Sequence, residues 1–346
     1  MKTIRFLMPY MGRWPEWFEL YLETCRWNPT VEWLFFTDCP VPDDPPPNVI
    51  FHPTDLQALS ERFSARLGFD VRIKHPYKLC DFRPLFGLLF SDYLTETDYW
   101  GHGDIDVFYG NLRGYLSEEM LRCNIISMHR KHLSGHLALY RNSPEVNELY
   151  RNIEDWKEVI LSDRNFRMDE EKLPASLKFG HFRDHLLTRQ WSGPPVGLEH
   201  GFYFHESWNT PRDHLNNPLS LRRWRWGTPL ENRLWNGQAR IPDVWFWKEG
   251  RLTNNVDPEE RPYLHAKTWA REDWRVLKKL LRADAATLRA GFQVSRYGIS
   301  PLEASQPLLP LTQRAQFQLR YLRLRAATRM QAVTRKWKRR ELSASP

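Results

Sequence analysis

The sequence predicts an α/β fold: a mostly parallel central sheet flanked by helices, with a helical extension at the C-terminus. Two observations predict it. Apolar strand-like runs alternate with helix-period segments through the first 160 residues, the pattern of β-α units. The chain is also long enough, at 346 residues with 41% hydrophobic and 14% aromatic positions, for one large domain with additions or two small ones.

The elements follow in order. "TIRFLMPY" and "VEWLFFTD" read as buried strands, apolar and ended by turn residues. Between them, "PEWFELYLETCRWN" puts Trp17, Leu20, Tyr21 and Thr24 on one helical face, with Pro15 near its start. "PVPDDPPPN" is a loop and "NVIFHP" a third strand. "TDLQALSERFSARLG" opens on a Thr or Asp cap and closes at Gly68, so it is a helix. "HPYKLCDFRPLFGLLFSDYL" is a strongly apolar helix that Pro84 must bend or restart. "DYWGHGDIDVFY" is a strand meeting a loop, "CNIISMH" and "SGHLALYRN" continue the sheet, and "SPEVNELYRNIEDWKEVI" predicts a helix. Residues 205–250, rich in Trp, Arg, Asn and Pro, give no clean pattern, apart from a hairpin in "DVWFWKEGRL" with Gly250 in its turn. The expected division is a catalytic domain over 1–270, a helical extension over 271–300, a Pro-rich linker over 301–311, and a basic amphipathic helix over 312–346.

Composition narrows the function classes. The four cysteines, Cys25, Cys39, Cys80 and Cys123, are far apart with no CxxC pair, which reads as reduced thiols and not as a disulfide framework or zinc site. "MKTIRFLMPYMG" is too short and too broken for a secretory signal, and no run approaches the ~20 apolar residues of a membrane span. A cytoplasmic location is expected. The net charge of +8 is localised: ten Lys or Arg and no acid lie in residues 311–340. Without residues 311–346 the chain carries 40 basic and 41 acidic residues, which disfavours a uniformly basic nucleic-acid-binding body, and no nucleic-acid partner is expected.

The chemistry centres on "DYWGHGDIDVFYGNL". On a strand, Asp104 and Asp106 would point to one face and repel each other unless a cation sat between them. Carboxylates of this kind suit Mg²⁺ or Mn²⁺, and loops beyond strand ends are where α/β folds bind ligands. Taken alone, such a triplet is more often a solvated turn with a capping Asp. "YLHAKTW" adds His265, a metal-ligand type, and Lys267, a point charge able to meet a phosphate. Two carboxylates, an imidazole and an ammonium are what a metal-bound diphosphate needs.

With these residues in view, the "GDID" that follows "YKLCDFRPLFG", together with the late "HxKxW", resembles nucleotide-sugar glycosyltransferases of the GT-A fold. The layout is similar to the retaining transferases around glycogenin and the lipopolysaccharide galactosyltransferases. "PYMGRWPEWFELYLETCRWNPTVEWLFFTD", "PYKLCDFRPLFG" and "YWGHGDIDVFYGNL" resemble, more closely, a little-characterised bacterial glycosyltransferase-like family associated with surface polysaccharide. The similarity spans roughly residues 3–145 and the motif near 265.

The resemblance implies a GT-A-like, Rossmann-like catalytic domain and a role for each matching position. Pro9, Tyr10 and Gly12 would line the nucleotide pocket, and Thr37 and Asp38 would contact base or ribose. Lys78 would approach the donor, with Asp81 holding it or the sugar. Asp104 would contact ribose and metal, Asp106 and His265 would be metal ligands, and Lys267 would neutralise the leaving diphosphate. The glycogenin-type motif carries Gly and Pro around its Lys, and "HAKTW" departs from that by keeping the His and Lys at a tighter spacing. The implied activity is metal-dependent transfer, with Mn²⁺ or Mg²⁺, of a hexose from a UDP-sugar to a glycan or lipid-linked acceptor, with retention. The residues themselves do not separate retention from inversion.

For the acceptor, Asp169, Glu170 and Glu199 are candidate carboxylates, and "SGH" at 134–136 would be a turn beneath the donor sugar. Trp245 and Trp247 could stack on sugars, although core packing is the commoner use of Trp. In the tail, Phe317, Tyr321, Leu324, Met330, Val333 and Trp337 recur at helical spacings among basic residues. That pattern suits an anionic membrane surface, and so a peripheral position on the inner face of the membrane; a docked terminal helix or a disordered arm are its alternatives. Competing classes are a carbohydrate-binding or scaffold protein with a decayed transferase fold, an RNA-associated protein, and a phosphohydrolase using the Asp-x-Asp pair. The intact Asp104, Asp106, His265 and Lys267 argue against the first and the near-neutral body against the second. The third wants its motif after the first strand, followed by Thr or Ser.

Overall fold

The computed structural model describes residues 1–127, 133–177, 202–204 (backbone only), 244–255, 259–266, 285–295 and 298–303. All belong to one compact unit, Met1–Arg212 with Thr228–Glu303; the other unit, Asp213–Gly227 with Ala304–Pro346, lies outside the described residues, and with it the expected basic helix.

Strands β1 (Ile4–Tyr10), β2 (Val31–Thr37), β3 (Val49–Pro53) and β4 (Tyr99–Gly103) form the parallel half of a seven-stranded sheet. β5 (Val107–Tyr109) leaves that sheet; β6 (Ile125–Ser127), β7 (Leu137–Arg141) and β8 (Phe202–Phe204) complete it in the order β3-β2-β1-β4-β7-β6-β8. Only β7 runs against its neighbours, pairing antiparallel with β4 and β6. The α/β architecture with a mostly parallel sheet is therefore as expected.

Alternation along β1 explains why the sheet is covered on both faces. Phe6 and Met8 enter one apolar cluster and Leu7 the other, because successive side chains point to opposite faces. Helix α1 (Phe18–Arg26) covers the first face; its predicted stripe of Trp17, Leu20, Tyr21 and Thr24 is buried throughout. Helix α2 (Leu56–Leu67) covers the second, capped by the Asp55 carboxylate on Ala58 N–H and ended by left-handed Gly68.

Three segments differ from expectation. Residues 76–93 form no single helix but short turns restarted around Pro84, which lacks the N–H that a continuous ladder requires. The expected helix at 143–160 is broken into Pro144–Asn147, Leu149–Asn152 and Trp156–Leu161, with extended backbone at Ile153. The expected helical extension ends in strand: only Ala285–Arg289 is helical among its described residues, and β12 (Phe292–Ser295) and β13 (Gly298–Pro301) form a hairpin. That hairpin joins β9 (Val244–Lys248) and β10 (Arg251–Asn254) in a four-stranded sheet, with Glu249 and Gly250 at positive φ in the predicted β9–β10 turn. Finally, β11 (Tyr263–His265) pairs antiparallel with β5.

Candidate functional site

The parallel strands β1, β2 and β4 end together, which brings Gly12, Asp38 and Asp104 to one edge of the sheet. In open α/β sheets this carboxyl edge is where ligands bind. At β1's end Tyr10 stacks on Trp14, with centroids 5.1 Å apart, and donates from its hydroxyl to Arg13 O (2.8 Å). Gly12 adopts φ 112°, a conformation that favours glycine, and its N–H donates to Asp38 Oδ1 (2.7 Å). The Asp38 carboxylate thereby ties the loop after β1 to the end of β2. Thr37 is buried and its hydroxyl accepts from Cys39 N–H, so its side chain faces inward and not toward a base. Burial, with Cys39, Asp106 and Asp38 close by, pushes the Tyr10 hydroxyl up to about 12.

Asp104 and Asp106 lie in the turn between β4 and β5, not on a strand, so the i/i+2 argument is not what makes them converge. Convergence comes from the β5–β11 ladder, in which His265 faces Val107 and Ala266 N–H donates to Asp106 O (2.7 Å). His265 Nε2 lies 3.3 Å from Asp106 Oδ1. One ligand atom each from Asp104, Asp106 and His265 fall within 4.8 Å of one another. Two carboxylates and an imidazole at that spacing suit a hard-to-borderline divalent cation such as Mn²⁺ or Mg²⁺. Partial burial and the Asp106 charge hold the Asp104 carboxyl above its usual range, although Arg83 and His265 pull it down. A further positive charge between the two carboxylates would relieve that repulsion.

Sequence reasoning missed Arg83. Its guanidinium donates to Asp104 Oδ1 (2.5 Å), Asp169 Oδ2 (3.0 Å) and Gly135 O (2.7 Å). The signal for it was a guanidinium in a largely apolar segment in which Lys78 competes for the one nearby acid, Asp81, so that when buried it has to meet carboxylates elsewhere. Asp169 is 2% exposed beneath this guanidinium. Burial pushes its carboxyl up to about 6, with Arg83 opposing and Glu170 adding. Asp169 is therefore an anchor for Arg83, not a group an acceptor can reach. Glu170 is partly exposed, paired with Arg167 and packed so closely on Gly135 that a Cβ there would sit 2.7 Å from Glu170 Oε1. The 134–136 turn thus lies against Arg83, Glu170 and Asp104, whose N–H donates to His136 O (3.1 Å).

Lys78 and Asp81 are placed elsewhere. Lys78 Nζ, 2% exposed, donates to Asp81 Oδ2 (2.9 Å), Val159 O (2.6 Å) and Arg164 O (2.8 Å), which occupies all three of its donors. Asp81 also accepts from the N–H groups of Phe166 and Met168. The pair pins residues 164–168 to the 76–82 segment and leaves no ammonium proton for a donor phosphate, correcting the expectation for both. Trp245 and Trp247 are fully buried, and Trp247 Nε1 donates to Tyr109 O, so they are core and not sugar platforms. Lys267 and Glu199 lie outside the described residues.

Among solved structures, the chain is similar to the galactosyltransferase LgtC in complex with donor and acceptor sugar analogues: 11% identity over 82% of this chain and 99% of that one, TM-score 0.38. It is also similar to mouse xyloside xylosyltransferase 1 (9%, 77% and 97%, TM-score 0.35) and to a glycosyltransferase involved in the glycosylation of the major capsid of PBCV-1 (10%, 60% and 85%, TM-score 0.33). No curated protein matches the chain. The matching family model covers residues 6–191, from β1 through the Asp104–Asp106 turn and Asp169, and the chain thus belongs to the family of unknown function DUF6625.

Proposed function

We propose that this protein is a metal-dependent glycosyltransferase that moves a sugar from a nucleotide-sugar, with UDP as the first nucleotide to test, to a glycan or lipid-linked acceptor in surface polysaccharide synthesis. The observation that carries the reading is the convergence of Asp104, Asp106 and His265 at the carboxyl edge of the parallel strands, beside Tyr10, Gly12 and Asp38. A divalent cation held there supplies positive charge to the oxygens of a leaving diphosphate. In this reading Asp104 and Asp106 offer oxygens and His265 a nitrogen. Arg83 engages one Asp104 oxygen and so fixes the carboxylate's direction. Tyr10 and Gly12 line the nucleotide side, while Glu170 faces the acceptor side. Lys267, two residues beyond His265, is assigned to the leaving phosphate, and retention follows the resemblance. The basic segment at 312–346 is assigned to an anionic membrane surface; among the described residues no helix is long and apolar enough to cross one.

The test is calorimetry with UDP, GDP and CMP, with and without Mn²⁺, on the full chain and on Asp106→Ala. The expected result is Mn²⁺-dependent binding of one nucleotide, lost in Asp106→Ala, because the substitution removes a deprotonated carboxylate ligand. Absence of binding to any of the three under both conditions refutes the transferase reading.

A further inference from the structure

His136 touches both halves of the candidate metal site. Its backbone oxygen accepts from Asp104 N–H (3.1 Å), and its imidazole stacks on His265 with centroids 4.1 Å apart and planes 21° from parallel. The ring is itself held: Nε2 lies 3.0 Å from the Tyr263 hydroxyl, and Ser134 Oγ sits almost equally far from both ring nitrogens, 3.0 Å from Nδ1 and 3.1 Å from Nε2. Tyr263 and His265 are two apart on β11, so they present their side chains to the same face, and His136 meets both. Both imidazoles are buried, at 7% and 4% exposure, which leaves His265 little room to rotate while its neighbour's flat face is in place.

We propose that His136 is a positioning residue: its ring orients the His265 ring toward the cation site and so sets the cation affinity of the site. This rests on the metal reading above. Supporting groups of this kind commonly change metal affinity 10- to 100-fold when removed. A flat ring is the property required, so Phe should replace His136 and a non-planar side chain should not.

The test titrates Mn²⁺ into the full chain, alone and with UDP, following free Mn²⁺ by electron paramagnetic resonance. The proteins are wild type and His136→Phe, His136→Leu and His136→Ala, with thermal melts on each. We expect His136→Phe within about 3-fold of wild type, and His136→Leu and His136→Ala about 10- to 100-fold weaker. If His136→Ala does not fold, the comparison of Phe with Leu decides, since both fill the space and only one is planar. Equal affinity in Phe and Leu variants, or melting temperatures that fall while affinity holds, overturns the positioning role and leaves His136 as packing. Absence of Mn²⁺ binding by wild type, with and without UDP, overturns the metal reading itself and this inference with it.

Discussion

Replacing Arg83 with Met should destabilise the fold in a way that depends on pH, and the dependence follows from Asp169. Arg83 is 13% exposed in its side chain and bridges Asp104, at 36%, and Asp169, at 3%. The bridge to Asp104 is open to solvent screening and should contribute little. The bridge to Asp169 is buried, and removing one partner of a buried pair typically costs about 3–5 kcal/mol, because the other charge is left without compensation. The Asp169 carboxyl stands at about 6 with Arg83 present, above the ~3.9 of an unfolded Asp. A raised carboxyl favours the fold while protonated, so that contribution is complete below about pH 4 and is lost as pH climbs through 6. Without the guanidinium the carboxyl rises further and the loss extends above pH 6. Urea unfolding of wild type, Arg83→Met, Asp169→Asn and the double variant at pH 5 and pH 8 tests this. Arg83→Met should lose about 3–5 kcal/mol at pH 8 and about 1–2 at pH 5, where the carboxyl is protonated and only hydrogen bonds are lost. The double variant should recover part of the pH 8 loss, giving a coupling of about 1–3 kcal/mol. Equal losses at the two pH values with an additive cycle would refute the argument.

Other substitutions separate core from site. Lys78→Met breaks the buried pair with Asp81 and should cost about 3–5 kcal/mol in urea unfolding, while calorimetry shows nucleotide affinity unchanged; weaker binding in a fully stable variant would return Lys78 to the donor site. Trp247→Ala removes a fully buried indole and should lose about 3–5 kcal/mol, with acceptor kinetics following stability alone. In Gly101→Ala the added methyl would sit 2.6 Å from Leu139 Cδ2 and 2.8 Å from the Ala138 oxygen across the β4–β7 ladder. Because backbone cannot yield cheaply, a loss of about 1–3 kcal/mol or more is expected in the same unfolding assay.

How much of this was legible in the sequence depends on the range of the interaction. α1 and β1 to β4 were readable because each carries its own local pattern: Trp17, Leu20, Tyr21 and Thr24 recur at helical spacing and are buried together. β12 was not, because "FQVS" becomes a strand only by pairing with β9, where Phe292 meets Trp247 far back in the chain. At 143–160 the period was helical, yet the extended backbone at Ile153 breaks the helix while Tyr150, Ile153 and Val159 still reach the core. Apolar spacing reports burial more faithfully than it reports an unbroken ladder.

The site divides the same way. Asp104 and Asp106 stood out because two acids between glycines and aromatics are locally unusual, but the reason they meet His265 is a ladder between β5 and β11 that no local pattern encodes. Lys78 and Asp81, three apart, looked like donor contacts and are a buried i,i+3 pair, satisfied within their own segment and by backbone brought up from residues 159–168. Arg83 is the opposite case: nothing within its segment can neutralise it, since Asp81 is already held by Lys78. It has to find its carboxylates elsewhere in the fold, and it finds Asp104 from the loop after β4 and Asp169 from the short π-helix at Met168–Lys172. A buried charge that its own neighbourhood leaves uncompensated is thus the better pointer to a site than one with a partner in reach, because tertiary structure must be built to meet it.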